Sequence, residues 1–462
     1  MFMESSLGRL HWRQNLAPLL QRLAETLAWV LRNPPASSGP WGYAAVKACL
    51  QLFQALPKDV APLVWSEAER SETLQRVLGL LLEVIMGKAP NKDTRLLAGT
   101  VLSMLVNTAP QPESGACAAR ALVQLADEGM GELRFGELIV EATSVPEPDG
   151  LERLVLARGL LTCCRTDILS CQLESFTHQA CLLLDVLFPA VYALSKERRD
   201  CHYYYFQVFS LWLQRLQESL PGIWCLKGSR ILAEDSDLLN QLMQLLWNNS
   251  ETPVEGVSEF IHSSFRLLLE IYCLECRHFE DQERPLYRQM LKRVISMPWQ
   301  VKGRYVPLCA IVPYVGSEQV LDAYRDLPQH LLSCLATNHL CPAATEVYKA
   351  VVQQQRTEGL AGQSGAEEAL AERWALHWLP LLSRALRSAV PILQSNAANH
   401  LLPWTLRLLP ATYASLAAEF GGQDVAALRA WVALLKAQKS ITGTLAVEGE
   451  TRERLSRCLR AL

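Results

Sequence analysis

The stretch Asp200–Leu220, "DCHYYYFQVFSLWLQRLQESL", decides how this chain is read. Its apolar residues Tyr205, Val208, Phe209, Trp212, Leu213, Leu216 and Leu220 recur at spacings of three and four. A helix of 3.6 residues per turn gathers such a set onto one stripe. Asp200 is placed to cap the first turn. Ser258–His278 repeats the logic through Ile261, Phe265, Leu268 and Tyr272. Convincing period-two alternation, the mark of a half-buried strand, is absent. The expected fold class is all-α.

Working outward, helices of about 12–20 residues recur between short turns. Several carry the same punctuation, an apolar residue followed by proline: Leu56-Pro57, Phe188-Pro189, Leu220-Pro221, Leu327-Pro328, Leu379-Pro380, Leu402-Pro403 and Leu409-Pro410. Proline lacks the amide a helix interior needs and pushes its predecessor towards extended geometry, so each pair predicts a helix boundary. Paired helices at a combined period of about 40 residues suggest a HEAT- or armadillo-like α-solenoid of stacked antiparallel helix pairs. The expectation is a single continuous array over 1–462, with loops at 33–40, 145–150 and 358–368. The last of these, "EGLAGQSGAEE", has the Gly/Ser/Glu composition of a mobile insertion.

Composition narrows the function classes. The chain of 462 residues is 50% hydrophobic and 20% charged, which supplies ample apolar surface to bury. A formal net charge of −3 gives no global attraction to nucleic acid or anionic membrane, so any such attraction is local. The longest apolar runs, Leu182–Leu194 and Tyr305–Gly316, are broken by Asp185 and by two prolines. Both fall short of the ~20 residues of a spanning helix. Fourteen cysteines sit in apolar helical runs such as Leu161-Thr-Cys163-Cys164, with no secretory signal before them. They read as reduced, buried thiols of a cytosolic or nuclear protein, with the cytosol as the expected location. The sequon Asn248-Asn249-Ser250 is then a chance match.

The usual constellations of an enzyme are missing. Gly87-Lys88 lacks the preceding glycine and following hydroxyl of a phosphate loop, and Gly362-Gln-Ser364-Gly has the wrong spacing for a nucleophile elbow. No HExxH occurs among nine histidines, and no strand leads into a glycine-rich cofactor turn. Cys273-Leu-Glu-Cys276-Arg-His278 resembles half a zinc site. On a helix, however, His278 points about 140° from Cys273, and no second ligand pair follows. Buried thiols are the competing reading. Tyr203-Tyr204-Tyr205 reads either as a base-stacking platform or as a core stripe with two boundary tyrosines.

One segment stands apart. From Arg284 to Tyr305 the chain carries Arg284, Arg288, Lys292, Arg293, Lys302 and Arg304 and no acid. Arg284, Arg288 and Lys292 are spaced i, i+4, i+8, one row along a helix beside the apolar Tyr287, Leu291 and Val294. That helix should end before Pro298, leaving Lys302-Gly303-Arg304 at the next turn, with Trp299 and Tyr305 packing the joint. Two readings stand: a positive field for RNA phosphates, or a solvated face paired with Glu280, Asp281 and Glu283.

The run "MPWQVKGRYVPLCAIVPYVGSEQVLD" (Met297–Asp322) resembles a segment of the thyroid adenoma-associated protein family, where a Trp-x-(Ile/Val)-Lys-Gly-(Lys/Arg)-Tyr motif leads into a helix and a Gly-x-Glu turn. "RLVLARGLLTCCRTDIL" (Arg153–Leu169) and "CHYYYFQVFSLWLQRL" (Cys201–Leu216) are similar to neighbouring parts of the same region. The resemblance implies a HEAT/armadillo-like, non-catalytic cytosolic regulator. Its implied partners are an FtsJ-type methyltransferase, which modifies the ribose 2′-hydroxyl of nucleotide 32 in the tRNA anticodon loop, and tRNA itself. It implies no cofactor and no DNA partner. Family members are much longer, and their arginine-rich signature of the type Arg-Arg-Ser-Ala-Gly has no equivalent here. The resemblance therefore implies an upstream portion or a short paralogue. A protein–protein scaffold without an RNA role is the alternative.

Overall fold

The structure is a computed structural model that describes residues 6–32, 40–55, 65, 68–86, 92–128, 133–135, 138–140, 151–173, 179–196, 201–252, 254–281, 283–360, 366–422 and 424–443. It is all-α apart from a small antiparallel hairpin, Leu133–Phe135 with Leu138–Val140. The chain divides into two compact units, Met1–Leu245 with Thr252–Ile271, and Leu246–Glu251 with Tyr272–Leu462.

The first unit contains α1 (Ser6–Arg32), α2 (Pro40–Gln54), α3 (Ala68–Met86), α4 (Lys92–Asn107), α5 (Pro112–Glu128), α6 (Leu151–Cys163), α7 (Thr166–Leu169), α8 (Phe188–Ala193), α9 (His202–Lys227) and most of α10 (Asp237–Asn249) and α11 (Val257–His278). Several helices pack on near sequence neighbours: α1 on α2 and α3, α4 on α3 and α6, α6 on α9. That nearest-neighbour pattern is the signature of stacked helical pairs. The closest approach is at two glycines. A Cβ on Gly159 would lie 2.4 Å from the Gly99 carbonyl oxygen, so only the smallest residue lets α6 reach α4.

The stripe read from Asp200–Leu220 is the buried face of α9: Tyr205, Val208, Phe209, Trp212, Leu213, Leu216 and Leu220 are each at most 1% exposed. The Trp212 indole donates to the Leu183 carbonyl at 3.0 Å, satisfying its polar edge inside the core. Asp200 lies outside the described residues, and Cys201 stands at the N-cap without a side-chain cap.

The second unit contains α12 (Pro285–Ser296), α13 (Tyr305–Val315), α14 (Ser317–Ala323), α15 (Leu327–Leu335), α16 (Cys341–Leu360), α17 (Ala366–Arg387), α18 (Pro391–Asn396), α19 (Leu402–Leu408), α20 (Thr412–Glu419) and α21 (Val425–Thr442). Its core joint is aromatic. Buried Tyr348 of α16 shares a 2.7 Å hydrogen bond with Thr405 of α19 and accepts one of 2.9 Å from the Trp374 indole of α17.

The proline rule holds only in part. Leu327-Pro328 opens α15, and Leu409-Pro410 follows α19. Pro221 and Pro380 instead lie inside α9 and α17. Past Pro221 the stripe of α9 continues to Ile223, which is 0% exposed. Burying one such side chain returns about 1.5–3 kcal/mol, comparable to the ~3 kcal/mol an interior proline costs. At Phe188-Pro189 and Leu402-Pro403 the helix runs through a π-helical segment, Leu182–Leu187 and Ala397–Leu401, immediately before the proline-bearing turn. A wider turn accommodates the missing amide without ending the helix. Leu56-Pro57 lies outside the described residues, as do 33–39 and 145–150.

The loop expected at 358–368 is shorter at both ends. Glu358–Leu360 close α16 and residues 366–368 open α17. The Glu358 carboxylate accepts from the backbone N–H of Ser317 at 3.0 Å and from the Ser317 hydroxyl, fixing the start of α14. That capping role, invisible in local composition, holds the segment in the fold.

Among the described residues no helix is long and apolar enough to cross a membrane. No disulfide joins the described cysteines, and Cys117 and Cys225 are exposed, which corrects the expectation that all are buried.

Candidate nucleic-acid interface

The basic segment begins on α12. Pro285 pre-sets the first turn, and Leu286, Tyr287, Met290, Leu291 and Val294 form its buried face. Tyr287 stacks on Tyr314 of α13, centroids 4.9 Å apart, and meets Tyr272 edge-on at 5.2 Å. The helix ends as Pro298 demands, with Met297 extended at φ −74, ψ 144. Packing this stripe inward turns Arg288, Lys292 and Arg293 to solvent. Arg284 is half-buried, its guanidinium donating to the Cys273 thiol at 3.8 Å. The expected i, i+4, i+8 row is thus shortened at its first member.

Arg293 is exposed but ordered by packing. Its guanidinium lies 4.5 Å above the centroid of the Trp247 ring, and Trp247 itself is 6% exposed. Such a stack is worth about 0.5–1 kcal/mol at an exposed site.

The second part is the joint. Lys302–Arg304 form a single 3₁₀ turn leading into α13. Tyr305 donates its hydroxyl to the Trp299 carbonyl at 2.5 Å, and Trp299 stacks on His330 with centroids 6.1 Å apart. Lys302 points to solvent. The Gly303 amide donates to the Glu251 carboxylate at 2.9 Å, so the turn's N–H already holds an anion of the protein itself. A Cβ there would meet the Ser250 hydroxyl at 2.5 Å and Glu251 Cγ at 2.6 Å. Close packing explains the lone glycine, and no phosphate cradle is needed.

Arg304 departs from the expectation. It is 1% exposed, one of the largest fully buried side chains. Its guanidinium donates to the Met297 carbonyl at 2.5 Å and lies 4.8 Å over Tyr324 and 5.7 Å from Tyr305. Nε and the second terminal nitrogen have no hydrogen-bond partner. A side chain so enclosed ties the joint together and does not face a phosphate. The sequence held a clue: Arg304, Leu308 and Ile311 share helical spacing, and the last two are fully buried.

None of the ion pairs among the described residues involves Arg288, Lys292, Arg293 or Lys302, and Glu280 and Glu283 are not their partners. Four exposed cations without an ion pair among the described residues fit a solvated face as well as a phosphate-facing one. Trp247 and Glu251 were missed because their partners lie far along the chain and local spacing carries no trace of the contact.

The other candidates fare differently. Tyr204 and Tyr205 are 6% and 1% exposed, while Tyr203 is 46% exposed and edge-on to Phe260 at 5.5 Å. Burial pushes the Tyr204 phenol up to about 12. Two core tyrosines and one boundary tyrosine leave no three-ring platform. Cys273 and Cys276 are buried, whereas His278 is exposed in the last turn of α11. Among the described residues no group of three metal-ligating side chains comes together. A cavity of about 290 Å³ is lined by Leu184, Phe188 and Ile231, but its Lys227 pairs with Asp185 at 3.3 Å.

No protein-family model matches the chain. It is similar to curated proteins named tRNA (32-2′-O)-methyltransferase regulator THADA: 22% identical over 176 residues to that of Gallus gallus, 22% over 171 residues to that of Homo sapiens, and 23% over 209 residues to that of Mus musculus. These matches cover 38%, 37% and 44% of this chain. The chain spans only 9%, 8% and 10% of the length of those relatives. The relatives are named as regulators of a methyltransferase, not as the methyltransferase. The likeness to the THADA proteins is confined to these matched segments, at 22–23% identity.

Proposed function

We propose that this chain acts as a non-catalytic regulatory subunit in tRNA ribose 2′-O-methylation, binding the methyltransferase, tRNA or both. The observation that carries the reading is its similarity to proteins named as regulators of that modification. An all-α stack supports it, because such a surface can follow an RNA backbone by shape and phosphate contact. The exposed Arg288, Lys292, Arg293 and Lys302 supply a phosphate-facing surface in a chain of net charge −3. The partner in this reading is an FtsJ-type enzyme acting at the anticodon loop, and the place is the cytosol.

The test is co-purification of the tagged chain from cytosol, scoring the 2′-O-methyltransferase and tRNA together. Recovery of both, with tRNA lost steeply as salt rises, is the expected result. Recovery of neither removes the proposal. Recovery of an acidic protein without RNA would favour the scaffold reading, in which the same cations dock that partner.

A further inference from the structure

We infer that Arg293, held over the Trp247 ring, is a stacking site for an unpaired base of single-stranded RNA. The inference rests on the reading of this surface as RNA-facing and goes beyond it by naming a ligand class and a contact. Three observations support it. The guanidinium carbon is 4.5 Å from the Trp247 centroid, so the cation rests against a nearly buried ring. The residue is nevertheless exposed, so its guanidinium can be reached from solvent. Arg293 forms no hydrogen bond or ion pair through its side chain with any described residue, so its in-plane donors remain available.

The chemistry of that arrangement is specific. Arginine is a planar cation that stacks on π faces, and unpaired RNA bases stack on guanidinium planes as well as on aromatic rings. On a mobile arginine, ordering the side chain consumes much of the gain from stacking. Trp247 has ordered it beforehand. Exposed Lys292 adjoins it in sequence and Arg288 lies on the solvent face of the same helix, so phosphates flanking the stacked base would meet cations. Lysine in the same position would keep the charge and lose the plane.

Two probes separate base stacking from phosphate attraction: a stem–loop RNA with an unpaired seven-nucleotide loop carrying 2-aminopurine, and a fully paired RNA duplex of equal charge. The full-length chain should prefer the stem–loop, with a fluorescence change of the loop base on binding. Arg293→Lys should weaken the stem–loop roughly tenfold, abolish that change, and leave the duplex nearly unaffected; a stacked base is worth about that much. Trp247→Leu should give a smaller loss of the same kind, with its fold checked by circular dichroism. Arg288→Gln should weaken both RNAs alike. Equal binding of the two RNAs by the wild type, or a silent Arg293→Lys, overturns the stacking site while leaving an RNA-facing surface intact. Failure to bind either RNA overturns both.

Discussion

Lys302 and Arg304 stand two residues apart in one turn, and methionine at each should have separate consequences. Lys302 is exposed, whereas Arg304 is 1% exposed. If exposed cations of this surface contact tRNA phosphates, Lys302→Met removes one of them. The slope of log affinity against log salt should then become shallower by about 0.7–0.9, with stability changed by no more than about 0.5 kcal/mol. Arg304→Met should leave that slope unaltered. Its stability effect is a balance. The lost stacking over Tyr324 costs about 2 kcal/mol for a desolvated pair, and the lost charged hydrogen bond to Met297 about 1.5–3 kcal/mol. Against these, methionine fills similar space and removes a buried charge with two unpartnered nitrogens, whose desolvation costs several kcal/mol. The two sides offset to within about 2 kcal/mol. Arg304→Glu has no such compensation: a carboxylate would face the Met297 carbonyl and two ring faces, for a loss above about 4 kcal/mol. The assay pairs tRNA anisotropy titrations from about 50 to about 200 mM salt with urea unfolding of each variant. A slope that flattens as much in Arg304→Met as in Lys302→Met would refute the assignment of Arg304 to the joint.

Other outcomes follow from the packing. Gly159→Ala places a Cβ 2.4 Å from backbone of α4, while Gly99→Ala places one at 3.1 Å from the Val155 carbonyl. Alanine returns about 1 kcal/mol of helix propensity at either site, so urea unfolding should show Gly159→Ala destabilised by about 1–3 kcal/mol net and Gly99→Ala near neutral. The imidazole of His330, which accepts from or donates to the Tyr324 hydroxyl at 2.6 Å, is held below the ordinary histidine range by burial and by Arg304, with Asp326 opposing. The folded state therefore resists the proton that the unfolded chain accepts. As pH falls below about 6.5 the fold loses stability, and His330→Gln should melt with a weaker acid dependence. Equal acid sensitivity in wild type and variant would remove His330 from that account. Cys164 is raised to about 12 and Cys181 to about 11, each chiefly by burial. Alkylation at pH 8 read by peptide mass should label exposed Cys117 and Cys225 and spare those two.

By itself the sequence determined the helices and their buried faces. The stripe of α9 and that of α11 (Ile261, Phe265, Leu268 and Tyr272, all at most 1% exposed) follow from local periodicity, because a helix face is fixed by residues within a few turns. The end of α12 before Pro298 and the joint between Trp299 and Tyr305 were legible for the same reason. Tertiary structure decided what depends on distant partners. Pro221 sits inside a helix because burial on both sides, at Leu220 and Ile223, offsets its cost. Glu358 caps α14 from another helix and so belongs to no loop. Within one basic cluster, packing separated Arg304, enclosed by Met297, Tyr324 and Tyr305, from Arg293, displayed over Trp247. Charge is written in the sequence. Whether a charge meets water, an aromatic ring or a carbonyl is settled by residues that can lie tens of positions away.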